Sequence, residues 1–145
     1  MNAEFKKMII SENYQNPFGK GLIENDNYKK IVLKSKSCID QITLQVKLNN
    51  DIIEDVKFDG EACAICTSST SILLKNIIGK NINDALYIIK NFNNMIDEKE
   101  YNINVLGDAV VYEDISKQPN RKNCALLSWN GFKKIIEGND NNGNE

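Results

Sequence analysis

The chain has 145 residues, of which 41% are hydrophobic and 26% charged, with a formal net charge of −2 and no histidine. That length is about one domain's worth and can bury a core without disulfides. The near-neutral balance argues against nucleic acid as a partner, because phosphate binding runs on clustered Lys and Arg. No apolar run approaches the roughly 20 residues that cross a bilayer, and no apolar leader with a small-residue cleavage site follows the charged start. A cytosolic protein with no membrane or nucleic-acid partner is expected.

Phe5, Met8 and Ile9 sit at helical spacing in an opening segment that should end before Asn16-Pro17, since proline disfavours helical geometry in its predecessor. Gly19 and Gly21 mark a loop. A strand is expected near Tyr28 to Leu33, followed by a polar loop from Ser35 to Asp40. From Ile42, the alternation of Ile42, Leu44, Val46 and Leu48 with polar residues is the period of a half-buried strand. Asn49-Asn50-Asp51 supplies turn chemistry. The next strand, Ile52 to Phe58, puts Ile52, Glu54, Val56 and Phe58 on one face, which completes a hairpin.

After Gly60 the period changes to that of a helix, with Ile65, Ser69, Ile72, Leu73 and Ile77 on one side and Gly79 as its stop. Asn83 is placed to cap a second helix carrying Leu86, Ile89, Phe92 and Met95. A polar stretch from Asp97 leads into short helical or irregular structure around Val105 to Ile115. Past Pro119, the residues Cys124, Leu127, Phe132 and Ile135 predict a last helix. Strands first and helices after read as α+β, a three-stranded antiparallel sheet with helices packed on it. Residues 1–137 form a single domain in this reading, and the Asn- and Gly-rich residues 138–145 a disordered tail.

Without histidine, chemistry must rest on sulfur and carboxylate. The chain has four cysteines, Cys38, Cys63, Cys66 and Cys124, and in a reducing compartment these read as thiols or metal ligands before disulfides. A free cysteine often packs as a small hydrophobe. Here Cys38, Cys63 and Cys124 fall at the ends of expected elements, where ligands and nucleophiles are placed, and Asp40 follows Cys38 closely enough for both to reach one ion. Zinc takes four ligands from Cys, His and carboxylate. Two sets are available: all four cysteines, or Cys38, Asp40, Cys63 and Cys124. The pair Cys63-x-x-Cys66 alone decides nothing, because a second CxxC is missing and the hairpin before it is not a thioredoxin-like βαβ unit.

These residues resemble a known family. Asn16-Pro17 followed by Gly19-x-Gly21, then Cys38-x-Asp40, Asp55-x-x-Phe58-x-Gly60-Glu61-x-Cys63-x-Ile65, Ser68-Ser69-x-Ser71 and Arg121-x-x-Cys124-Ala125-x-Leu127-x-Trp129 resemble the SufU branch of the IscU/NifU-like iron-sulfur assembly proteins. The likeness runs from about Tyr14 to Ile136. The segment Asp97 to Lys117 resembles the insertion that separates SufU from IscU scaffolds, no histidine precedes Cys124, and no Leu-Pro-Pro-Val-Lys motif follows it. The resemblance implies zinc on Cys38, Asp40, Cys63 and Cys124, with Cys66 a bystander; the helical spacing of Cys63 and Cys66, three apart on one face, offers Cys66 as a substitute for Asp40. The resemblance implies a zinc-dependent sulfurtransferase in which Cys38 accepts persulfide sulfur from a SufS-like, pyridoxal-phosphate cysteine desulfurase, a desulfurase ligand takes its place on the metal, and Arg121 offsets charge or touches the partner. Downstream iron-sulfur assembly proteins would follow. The alternative in the same family is a scaffold that builds and hands on an iron-sulfur cluster with much the same ligands.

Overall fold

A computed structural model describes residues 1–35 and 39–138 together with the backbone of 143–144. The elements in chain order are α1 (Ala3–Gln15), β1 (Lys29–Lys34), β2 (Gln41–Asn49), β3 (Ile52–Glu61), α2 (Ala64–Ile77), α3 (Ile82–Ile96), three short 3₁₀ turns between Ile103 and Lys117, α4 (Pro119–Ile136) and β4 (Gly143–Asn144). The expected α+β architecture is the one observed. β1, β2 and β3 form an antiparallel sheet, with the two-residue β4 parallel to the end of β1. The tail expected from residue 138 lies largely outside the described residues.

The alternation in β2 sends Ile42, Leu44 and Val46 inward, all fully buried, because successive side chains leave a strand on opposite faces. β3 departs from the simple alternation. Lys47 pairs with Asp55 and Leu48 with Ile53, so Glu54 is an extra residue in the ladder, a β-bulge. The bulge reverses the faces on its far side: Ile53 is fully buried and Ile52 is 44% exposed. Placing Ile52 on the face of Val56 and Phe58 is therefore corrected to Ile53. The free edge of β3 is covered by the Gly19-x-Gly21 loop, where Phe58 N–H donates to the Gly19 carbonyl and Gly21 N–H to that of Phe58, at 2.8 Å each.

Helix α1 ends where Asn16-Pro17 requires, but its buried side is not the expected one. Phe5 and Met8 are exposed, while Ile9 and Ile10 are partly covered and Asn13 is buried. Asn13 is drawn inward because its amide oxygen accepts from Ser71 Oγ and Lys75 Nζ, at 2.8 Å each. Helix α3 is capped by Asn81, whose side chain accepts the Asp84 N–H at 2.8 Å, two residues before the expected Asn83. Both asparagines suit a cap; Asn81 wins because the turn after Gly79 brings it against the hairpin, with Ile82 N–H donating to the Asp51 carbonyl at 2.8 Å.

Helix α2 is the centre of the molecule. It is buried nearly all round, and Ser68, Ser69, Thr70 and Ser71 have no exposed surface. Buried hydroxyls must be hydrogen-bonded, and each of these is. Ser68 pairs with Tyr112, Thr70 with Ser128, and Ser71 also accepts the Phe18 N–H at 2.9 Å. Ser69 donates to the Ala125 carbonyl at 2.7 Å and accepts the Trp129 indole N–H at 2.9 Å. The small side chains let α1 and α4 approach closely. Trp129 stacks on Phe92 of α3 with ring centres 3.8 Å apart, which ties α4 to the rest of the helical layer.

Candidate metal centre

The hairpin delivers two of the candidate ligands to one place. The last pairs of the β2–β3 ladder are Ile42 with Gly60 and Gln41 with Glu61, so the next residues outward, Asp40 on one strand and Cys63 just past the other, face each other across the sheet end. Gly60 permits this register: its φ is +138°, and a Cβ there would lie 2.0 Å from the Gln41 carbonyl oxygen. The Cys63 N–H donates to Asp40 Oδ1 at 2.7 Å, and the Cys63 Sγ lies 3.7 Å from Asp40 Oδ2.

Cys63 is also the N-cap of α2, its sulfur accepting the Cys66 N–H at 3.4 Å. One carboxylate oxygen of Asp40 thus fixes the backbone while the other remains beside the sulfur. The third group comes from α4. The Ser69 bonds that clamp α4 to α2 bring the second turn of α4 alongside the start of α2. Cys124 there joins Asp40 and Cys63, with one ligand atom from each within 4.8 Å of the others. Asp40 and Cys124 are each 2% exposed and Cys63 is half-buried. The Cys124 thiol points to the Asn120 carbonyl at 3.7 Å, a contact that orients it. Two sulfurs and a carboxylate oxygen converging in a partly buried place suit a zinc-sized cation.

Cys38 lies outside the described residues. Cys66 is fully buried within the apolar core, and the group of converging ligand atoms among the described residues contains Asp40 rather than Cys66. Replacing Cys66 by serine should therefore leave metal content unchanged and lower stability by about 1–2 kcal/mol, since a hydroxyl enters apolar packing; metal analysis and thermal unfolding read the two effects separately. Arg121 stands on the first turn of α4, exposed, and makes no ion pair among the described residues. It lines a groove of about 460 Å³ whose apolar wall includes Ile10, Ile65, Val111 and Ile115.

Sequence reading did not foresee the Ser69–Trp129 link or the Tyr112–Ser68 pair beneath the centre. Burial holds the Tyr112 phenol well above its ordinary range, so it serves as a neutral hydroxyl. The run of small polar residues at positions 67–71 was the available signal: such residues inside a helix need partners.

Fold and site together define an α+β domain in which one carboxylate and two cysteine sulfurs are placed where they could hold a metal ion. Residues 5–125 match the family described as NifU-like N terminal domain, and the chain belongs to that family. It is 39% identical over 131 residues to the zinc-dependent sulfurtransferase SufU of Bacillus subtilis, covering 90% of this chain and 88% of the relative. It is 31% identical over 134 residues to the iron-sulfur cluster assembly scaffold protein IscU of Streptococcus pyogenes, covering 92% and 83%. Among solved structures, a candidate iron-sulfur cluster assembly scaffold protein for the SUF system, from Fervidobacterium islandicum, superposes with a TM-score of 0.81 at 34% identity, over 91% of this chain and 97% of the other. No helix among the described residues is long and apolar enough to cross a membrane.

Proposed function

We propose that the chain is a zinc-dependent sulfurtransferase of iron-sulfur cluster assembly, working with a pyridoxal-phosphate cysteine desulfurase of the SufS kind. The convergence of Asp40, Cys63 and Cys124 within 4.8 Å carries the reading, together with the similarity to SufU. Cys38, two residues before Asp40, supplies the fourth ligand and the acceptor sulfur. Zinc, when bound, holds sulfur as thiolate at neutral pH, the form that is nucleophilic.

The Cys38 sulfur, as thiolate, attacks the terminal sulfur of the desulfurase persulfide. A new sulfur–sulfur bond forms to Cys38 as that of the donor breaks, and the donor cysteine leaves as a thiolate. The terminal sulfur keeps its proton, and the exchange has no net oxidation or reduction. Asp40 and Cys63 meanwhile stay mutually fixed by the 2.7 Å hydrogen bond from the Cys63 N–H to Asp40 Oδ1. Three thiolates and one carboxylate carry two negative charges in excess of a divalent cation; Arg121, exposed one turn before Cys124, offsets this charge or touches the partner. The receiving proteins downstream belong to the same assembly system.

Loading the protein with zinc, adding desulfurase and cysteine, and mapping added sulfur by intact mass and peptide mass tests the reading. One extra sulfur on Cys38, with zinc retained and faster alanine release, is expected. Cys38→Ala should keep the fold and lower sulfur acceptance by at least about 100-fold, as removal of a nucleophile does. Undiminished acceptance in that variant would remove Cys38 from the mechanism. The scaffold reading has in its favour the similarity to IscU and to the scaffold protein of Fervidobacterium islandicum; a stable, transferable cluster formed from iron and sulfide, without sulfur on Cys38, would establish it instead.

A further inference from the structure

Cys66 has no place in the group of ligand atoms or in sulfur transfer, yet a ligand sulfur is held against its backbone. Two cysteines three apart inside a helix keep their Cβ atoms about 5–6 Å apart, beyond the ~3.5–4.5 Å that a disulfide spans. Cys63 is not inside the helix. It is the N-cap of α2, with extended dihedral angles of φ −66° and ψ 168°, and its side chain turns back over the first turn, where N-cap side chains meet the N–H groups. Its sulfur accordingly lies 3.4 Å from the Cys66 nitrogen, an atom two bonds from the Cys66 Cβ. The turn between them is closed, with Thr67 N–H donating to the Cys63 carbonyl at 2.9 Å and Thr70 Oγ1 to the Cys66 carbonyl at 2.8 Å. Rotation of the two side chains joins the sulfurs and leaves the backbone of α2 in place. Access differs between the two thiols: Cys63 is half-buried and Cys66 has no exposed surface.

We propose that Cys63 and Cys66 form a reversible oxidation site, a thiol pair that closes to a disulfide when a peroxide reaches the metal centre and so releases the metal. The Cys63 thiolate gives an electron pair to one peroxide oxygen, the oxygen–oxygen bond breaks, and the departing hydroxide takes a proton and leaves as water. Cys63 is then a sulfenic acid. The Cys66 sulfur attacks it and passes its thiol proton to the departing hydroxide, so a sulfur–sulfur bond replaces the sulfur–oxygen bond and a second water leaves. The two sulfurs together give up two electrons, and the peroxide accepts them. The buried thiol never has to meet the oxidant. A disulfide sulfur is neutral, so the centre loses one of its anionic donors, and cysteine binds metal as thiolate. A dithiol reductant reopens the bond at the accessible Cys63 sulfur by exchange. Cys124, the other sulfur near Cys63, stands on a separate helix with its thiol turned to the Asn120 carbonyl, so a bond to it has to draw α2 and α4 together. The pair serves a sulfurtransferase and a scaffold alike, since both use the Cys63 thiolate.

The test treats the zinc-loaded protein with hydrogen peroxide, follows zinc release with a chelating dye, and maps the cysteines by alkylation, trypsin and mass spectrometry. Cys63 and Cys66 share the tryptic peptide from Phe58 to Lys75, which separates their pairing from any bond to Cys38 or Cys124. That peptide should appear unalkylated and lighter by two hydrogens, in step with zinc release, and dithiothreitol with fresh zinc should restore nearly all the bound metal. Cys66→Ser and Cys66→Ala should load zinc like the unmodified chain, then gain sulfinic acid on Cys63 and recover at least about fivefold less zinc after reduction, because that oxidation state is not reversed by thiols. Thermal unfolding before oxidation checks that each variant is folded, and the peptide map of the unmodified chain stands independently of both. A bond from Cys63 to Cys38 or Cys124, sulfinic acid on Cys63 of the unmodified chain, thiols that survive excess peroxide, or equal zinc recovery in all three proteins overturns the inference. So does zinc release that fails to follow the disulfide.

Discussion

Asp40→Ala should release most of the bound metal and lower stability even in the metal-free protein. Two separate losses are combined in that substitution. The carboxylate oxygen 3.7 Å from the Cys63 sulfur disappears from the donor set, and the Cys63 N–H loses its 2.7 Å acceptor. A part-buried amide left without a partner costs about 1–3 kcal/mol, and loss of one of four ligands weakens a zinc site by at least about tenfold to a hundredfold, since even outer-shell partners are worth that much. Asp40→Asn separates the two effects. The asparagine carbonyl can still accept the Cys63 N–H, so the metal-free protein should melt near the original temperature, while metal affinity falls because the anionic ligand is gone. Metal stoichiometry by elemental analysis and unfolding with and without chelator measure both. If Asp40→Ala held zinc as tightly as the unmodified chain, Asp40 would have no place in the ligand set.

How much of this was readable beforehand depends on the range of the interaction involved. The hydrophobic alternation of β2 and the helical period of α2 running up to Gly79 are local, and both elements form where the pattern puts them. The bulge at Glu54 is not local. It depends on which residue of β2 lies opposite, so the inward place of Ile53 could not be told from that of Ile52 in a single strand. The buried side of α1 fails for a related reason: apolar spacing favours Phe5 and Met8, but Ser71 and Lys75 on another helix draw Asn13 inward, and a buried polar contact leaves no periodic trace. The ligand set was legible in kind and open in membership. Residue chemistry narrowed it to sulfur and carboxylate, the resemblance singled out Asp40 over Cys66, and the convergence of Asp40, Cys63 and Cys124 supplies the distances that spacing along the chain could never contain.

The same convergence makes a backbone position remote from any ligand chemistry decisive for the site. Gly60→Ala should lower stability by about 3 kcal/mol or more, in the range of severe overpacking combined with backbone strain, which for a chain of this length lowers Tm by roughly 10 °C. The added Cβ would stand 2.0 Å from the Gln41 carbonyl oxygen and 3.1 Å from the Ile42 Cα, and φ at this residue is +138°. Neither neighbour is a flexible side-chain end, so the strands must part or slip. Parting them there moves Gln41 away from Glu61, and with it Asp40 away from Cys63, so metal affinity should fall along with stability. Gly21→Ala is the control, because its φ is +104° with nothing within 4 Å of the added Cβ. That variant carries strain without collision, and should cost about 1 kcal/mol with metal affinity unchanged. Equal losses in the two variants would mean that strain alone acts at Gly60. A larger loss at Gly60, accompanied by weaker metal binding, would show that the close approach of β2 and β3 at their ends is what holds the carboxylate against the sulfur.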